Sequence, residues 1–208
     1  MIDLYTAATS NGLRAAIGLA ESGLPHTVHK LDLSKGDQRA PAFLELNPAG
    51  HIPVIVDHAA AGGPLTLTES TAILIYVAEK SGRLLPSEAS ARARVFEALA
   101  NAMTDVYAPF EGLMHLHSES GDRVPAEITA GFDALVRGAL VRIDGHLAGS
   151  EWVAGDFSIA DIAHYCTVWR LKTKLDRSYP DLANLQRWFA AIANRPDVQL
   201  GTSLKGRP

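Results

Sequence analysis

Two short stretches of this 208-residue chain combine residue types that suit chemistry. Asn47-Pro48-Ala49-Gly50-His51-Ile52-Pro53-Val54-Ile55 is a turn that delivers a proline to the head of an apolar strand. Proline has no backbone N–H, so it fits where a sheet ladder does not need that donor. A cis Ile52–Pro53 bond would turn the chain sharply and leave the polar groups of Ile52 for a ligand. The second stretch, Leu67-Thr68-Glu69-Ser70-Thr71, places Glu and Ser at the start of an apolar helix. Two readings of Glu69 and Ser70 are open. Both residues can simply complement a helix N-terminus, where acceptors and negative charge are favoured. Alternatively, the first-turn N–H groups and the Ser70 hydroxyl bind a ligand carboxylate while the Glu69 carboxylate pairs with a ligand ammonium.

The surrounding pattern must hold these groups. Ile2 to Thr6 reads as a strand. Thr9, Ser10 and Asn11 are good cap residues, followed by Leu13, Ala16, Ile17 and Ala20 at helical spacing, with Gly23 and Pro25 as the stop. Val28 to Leu33 is β-prone, and Pro41 to Leu46 is a short helix candidate. Val54-Ile55-Val56 and Leu65-Thr66-Leu67 flank Gly62-Gly63-Pro64 as a hairpin with a long connection. Ile73, Tyr76 and Val77 mark a helix ending near Gly82. The order βαβ, short helix, ββα predicts an α/β thioredoxin-like domain over residues 1–82. Arg83 to Ser87 reads as a linker, and residues 88–208 as an all-helical domain.

In that second half, Ser90 to Met114 reads as one long helix bent near Pro109, and Phe132, Val136, Ala139, Ile143 and Leu147 as another. Pro180 opens a helical segment that stops before Pro196. Phe157-Ser158-Ile159-Ala160-Asp161-Ile162 has the form of a capping box inside a hydrophobic staple. Cys166 is read as a buried, inert thiol, because an unpaired Cys behaves as a small hydrophobe. The Trp residues are read as packing groups, with Trp169 a candidate border of a substrate pocket. His115 and His117 are two apart and diverge on a helix, so no metal site is expected.

Bulk properties limit the function. With 47% hydrophobic and 20% charged residues and a net charge of −4, the chain is an ordinary globular composition without a basic run for nucleic acid. No apolar run approaches the roughly 20 residues that span a bilayer. The N-terminal residues lack the pattern of a signal peptide, and a single Cys excludes an internal disulfide framework. A cytoplasmic enzyme is expected, with neither nucleic acid nor membrane as partner.

Together, the proline turn, the Glu-Ser pair and the Ser-x-Ala-Asp box resemble cytosolic glutathione transferases, over residues 1 to about 196. The resemblance implies glutathione as co-substrate, a small electrophile or disulfide as second substrate, a homodimer and a detoxification role. It implies that Ile52, beside Pro53, pairs its backbone with the cysteinyl unit, and that Glu69 and Ser70 grip the γ-glutamyl end. The helical domain would form the wall for the second substrate. Gln38 and His51 are either solvated loop residues or partners of the glycyl carboxylate. Thr9, Ser10 and Asn11 are either ordinary caps or the groups that hold the thiolate. A thiol of ordinary pKa near 8.5 is mostly protonated at neutral pH, and a hydroxyl donor with a helix N-terminus stabilises its anion. Tyr5 lies inside the strand and is read as core. Tyr5-Thr6-Ala7-Ala8-Thr9-Ser10-Asn11-Gly12 is most similar to the bacterial Nu class, in which Thr and Asn occupy this loop and which acts on disulfides with glutathione. A non-catalytic relative, serving as a binding or assembly module, is the alternative.

Overall fold

A computed structural model describes residues 1–119 and 124–207. Two compact units are present, Met1–Leu85 together with Ala193–Pro208, and Pro86–Ile192.

The first unit is built on a four-stranded sheet in the order β2-β1-β3-β4. Strand β1 (Ile2–Thr6) pairs parallel with β2 (His26–Lys30) and antiparallel with β3 (Val54–Asp57), which pairs antiparallel with β4 (Leu65–Thr68). Strand β2 begins and ends earlier than the expected Val28–Leu33, because its register with β1, Ile2↔His26 to Thr6↔Lys30, stops where β1 stops. Period-two burial divides β1 between two faces, with Ile2, Leu4 and Thr6 buried. On the other face the Tyr5 ring stacks on His29 at 4.6 Å and meets Phe43 of α2 (Pro41–Leu46) edge-on at 6.4 Å.

Helix α1 (Ser10–Ser22) is buried along almost its whole length and packs against α3 (Ser70–Ser81). Gly18 makes this close approach possible, since a Cβ there would lie 2.6 Å from a Leu74 methyl. Residues 193–208, expected with the helical domain, belong instead to the first unit. Helix α9 (Pro196–Thr202) lies on α1, where a Cβ on Gly201 would come 2.6 Å from the Ile17 Cα. Arg195 forms a two-pronged ion pair with buried Glu21, at 2.6 and 2.8 Å. Arg207 then forms an antiparallel bridge with His26 at the edge of β2.

The second unit begins with α4 (Ala89–Asn101), a π-helical segment (Ala102–Tyr107) and α5 (Ala108–Glu119). The single bent helix expected here therefore carries its irregularity just before Pro109 rather than at it. Proline cannot donate to the i−4 carbonyl, and a π turn re-registers the ladder ahead of it. Helix α6 (Ala126–Leu147) follows, then α7 (Ile159–Lys174) and α8 (Ala183–Ala193). The capping box is present: the Ala160 N–H donates to Ser158 Oγ at 3.3 Å, and the Ser158 N–H donates to Asp161 Oδ2 at 3.0 Å. Asp161 also accepts the Val153 N–H at 3.0 Å and the Trp188 indole N–H at 2.9 Å, which makes it the buried hub of this unit. Helix α8 opens at Ala183 rather than Pro180, with the Leu185 N–H donating to Asp144 of α6 at 2.8 Å. Among the described residues, no helix is long and apolar enough to cross a membrane.

Candidate active site

The pairs Tyr5↔Val54 and Val54↔Thr68 place the end of β1, the start of β3 and the end of β4 side by side. The segments that leave from this end are residues 7–11, the Ile52–Pro53 turn and Glu69–Ser70. The two stretches singled out by their residue types thus open at the same end of the sheet, with the loop before α1 beside them. Strands β1, β2 and β4 end here, and ligands of open α/β sheets bind outside the carboxyl ends of strands.

Thr9 is the N-cap of α1, with extended backbone and its hydroxyl oxygen accepting the Gly12 N–H at 3.0 Å. That bond uses a lone pair and leaves the hydroxyl proton to be donated. Gly12 is required for this turn, because a Cβ would collide with the Ala7 carbonyl and lie 2.5 Å from Thr6 Oγ1. Ser10 is the first residue of the helix and is buried at 4% exposure, whereas Thr9 and Asn11 are half-buried. Of the two hydroxyls, Thr9 is the one open to a ligand.

The Ile52–Pro53 bond is cis. The preceding turn is held by Asn47, whose side-chain amide donates to the His51 carbonyl at 2.7 Å and whose Oδ1 accepts the Ala49 N–H at 3.1 Å. Gly50 sits in the left-handed region at φ 65°, and Arg39 donates to the Ala49 carbonyl at 3.2 Å. These contacts bring Gln38 alongside the turn, with its backbone oxygen 3.0 Å from where a Gly50 Cβ would be. The buried Gln38 Oε1 has no hydrogen-bond partner among the described residues, and the His51 side chain is exposed.

Glu69 does not cap α3. It occupies the N-cap position with φ 66° and ψ 112°, and its side chain makes no cap hydrogen bond. A non-glycine residue held there costs about 1–3 kcal/mol, which marks a position constrained by something other than local preference. Ser70 is buried at 4% exposure, and its hydroxyl donates to Asn11 Oδ1 at 3.2 Å. Arg14, fully buried on α1, donates to the same Asn11 oxygen and lies 3.5 Å from Ser70 Oγ. Spacing and composition did not single out Arg14. The available signal was the Asn11, Arg14, Gly18 face of α1, three then four residues apart, with a mid-helix glycine marking close approach to another helix.

Neither α1 nor α3 carries an acidic residue in its first turn. Two helix N-termini and one buried guanidinium therefore favour anions here, while Glu69 is the carboxylate placed to receive a cation. Burial, then the charge of Asp3, pushes the Tyr5 phenol up. The ring contacts with His29 and Phe43 make Tyr5 a packing residue of the sheet. Cys166 is fully buried on α7 of the other unit. Among the described residues, no group of three or more His, Cys, Asp or Glu is arranged to hold a metal ion.

Residues 10–80 match the glutathione S-transferase N-terminal domain family, and residues 133–196 match the glutathione S-transferase C-terminal domain family. The chain belongs to the glutathione S-transferase family. It is 35% identical over 203 residues to the disulfide-bond oxidoreductase YfcG of Escherichia coli K12, covering 94% of this chain and 92% of that protein. A glutathione transferase from Pseudomonas putida, solved with one glutathione disulfide bound per subunit, superposes with a TM-score of 0.92 at 32% identity, over 99% of this chain and 92% of that one. A family member from Pseudomonas fluorescens pf-5, with two glutathione bound, gives 0.91 at 32% identity, over 97% and 92%.

Proposed function

We propose that this chain binds glutathione at the carboxyl end of β1 and uses the bound thiolate as the only thiol of the reaction. The observation that carries this reading is the Ser70–Asn11 contact, which joins the loop before α1 to the start of α3 in one polar cluster. Glu69 receives the γ-glutamyl ammonium, and the Ser70 backbone N–H at the head of α3 receives its carboxylate. Ile52 offers backbone groups to the cysteinyl unit; its N–H and C=O bond no other described residue. Gln38 and His51 offer N–H donors to the glycyl carboxylate. Thr9 and Asn11 donate to the sulfur.

A thiolate held there can add to an electrophilic carbon or attack a disulfide. We assign disulfide reduction as the favoured reaction, supported by the YfcG-type relative and by the Thr-Asn loop. In the first step the glutathione thiolate attacks one sulfur of the substrate disulfide, forming a mixed disulfide and releasing one substrate thiolate. A second glutathione thiolate then attacks the glutathione sulfur of the mixed disulfide, yielding glutathione disulfide and the second substrate thiolate. The two glutathione molecules supply both electrons, which suits a protein whose one cysteine is buried elsewhere. The relatives with glutathione disulfide, or with two glutathione bound, are consistent with this stoichiometry. A homodimer working in the cytoplasm, with a part in detoxification, completes the proposal.

Calorimetric titration with glutathione, followed by a thiol-transfer assay, tests the reading. Binding with turnover supports it. Binding without thiol chemistry would make the protein a glutathione-binding module, and absence of binding would remove the site assignment.

A further inference from the structure

We infer that His26 and Arg207 form an acid-released latch, in which a proton taken up by the buried His26 ring frees residues 203–207 from the edge of β2. The latch is independent of the glutathione site.

Strand β2 is an outer strand of the sheet, and an outer edge left open is a template for pairing with another chain. The residues after α9 return to cover the start of that edge. The His26 N–H donates to the Arg207 carbonyl at 2.8 Å, and the Arg207 N–H donates to the His26 carbonyl at 3.0 Å. At the other end of β2, Lys30 donates to the Ser203 carbonyl at 3.4 Å. The Arg207 guanidinium joins α1 to α9, because it donates to the Ala20 carbonyl at 3.4 Å and pairs with Asp197.

His26 is 2% exposed. Its Nδ1 lies 2.8 Å from the Leu24 carbonyl oxygen, a contact that needs an N–H. The neutral ring therefore carries its proton on Nδ1 and a lone pair on Nε2. Nε2 is buried and has no hydrogen-bond partner among the described residues, and the same holds for Arg207 Nε. A second proton must go to Nε2, where it makes a buried cation beside a guanidinium that already occupies Asp197. Burial is the largest influence and pushes the ring pKa below 6.5; the Leu24 carbonyl opposes it, the Arg207 charge adds to it and the Lys205 carbonyl opposes it. The other charges of the packed elements are engaged elsewhere, Glu21 of α1 by Arg195 and Asp3 of β1 by His29 and His58, while Lys205 is exposed. A segment held by a few backbone bonds opens locally without global unfolding. Once it opens, the ring returns toward its ordinary value of 6.5. The open form then binds the proton more readily than the closed one, so the latch holds above that pH and loosens as pH falls below it.

Amide hydrogen exchange, read by NMR as protection factors from about pH 7.5 to about pH 5, tests the latch alongside titration of the His26 ring. Both are measured on the full chain, in the wild type and in His26→Asn. Asparagine keeps a side-chain donor for the Leu24 carbonyl and takes up no proton. We expect the wild-type ring to titrate below 6.5. The amides at positions 26 and 207 should lose protection as pH falls, by roughly tenfold for each unit of that depression. Ile55, fully buried inside the sheet, should keep its protection, and His26→Asn should show none of the acid loss at position 207. Equal protection at position 207 across the range, a ring that titrates at or above 6.5, or the same acid loss in His26→Asn overturns the inference. A loss shared equally by Ile55 marks global unfolding and overturns it too. If His26→Asn fails to fold, Arg207→Gln takes its place, since it keeps neutral donors and removes the charge. The ring should then titrate closer to 6.5 and the acid loss should shrink, whereas an unaltered titration overturns the latch.

Discussion

The Ser70 hydroxyl donates to Asn11 Oδ1 at 3.2 Å although 59 residues separate the two positions. One residue begins α3 and the other lies in the first turn of α1. Two helix N-termini therefore converge on one polar cluster, backed by a buried arginine, at the end of a sheet. Such an arrangement suits a ligand with a carboxylate at one pole and a thiolate at another.

Glu69 separates binding from folding. Glu69→Ala should weaken glutathione binding by about one to two orders of magnitude, the value of a charged hydrogen bond. Glu69→Gly should weaken it as much, yet melt no lower than the wild type, because glycine adopts positive φ without strain. Calorimetry and thermal melts on both variants decide the matter. Unchanged affinity would discard the assigned γ-glutamyl site, and a destabilised glycine variant would contradict the strain argument.

Thr9 has two duties, which different replacements resolve. Thr9→Ala should cost about 1 kcal/mol of stability through the lost cap and should also lower turnover and raise the apparent thiol pKa. Thr9→Ser retains both the acceptor and the donor and should remain close to wild type in each respect. Ser10→Ala should leave the pH profile alone. A profile that follows Ser10 and ignores Thr9 would move the sulfur contact to Ser10.

Asp3 predicts part of the acid limit of stability. It is bonded to His29 at 3.0 Å and to His58 at 2.7 Å, so it ties the neighbourhood of β2 to that of β3. The His29 hydrogen bond, then that of His58, holds its carboxyl below the ordinary value of 3.8. A carboxylate with a depressed folded pKa adds stability that is complete above the unfolded value and is lost as pH falls through the folded one. Denaturant melts from pH 5 downward, with pH steps of about one unit, should show a shallower acid loss in Asp3→Asn than in the wild type. Parallel slopes would show that Asp3 contributes nothing to acid sensitivity.

Asp161 should be the most damaging replacement in the helical unit. Asp161→Ala deprives the Val153 and Ser158 N–H groups and the Trp188 indole of their buried acceptor. At roughly 1–3 kcal/mol for each unsatisfied group, several kcal/mol of stability should be lost. A melting temperature within a few degrees of wild type would contradict that role.

The local parts of the site were legible because they rest on local rules. The cap at Thr9, the short helix after Pro41, the hairpin from Val54 and the helix start at Ser70 each follow from residues within a few positions. Arg14 was not legible, since a charge inside a helix is by default a solvent-facing residue, and only the packing of α1 against α3 buries it. The return of residues 193–208 to the first unit was hidden for the same reason. The Arg195–Glu21 pair spans 174 positions, and no local period encodes such a contact.

The most direct test of the account is a side-by-side measurement of glutathione-dependent reduction of a small disulfide and conjugation of a model aryl halide, at one pH and one glutathione concentration, in the wild type and in Cys166→Ala. The account predicts that disulfide reduction exceeds conjugation and that Cys166→Ala retains the full rate, because glutathione is the only thiol in the reaction. Strong conjugation without disulfide turnover, or a disulfide reductase activity that disappears with Cys166, would contradict it.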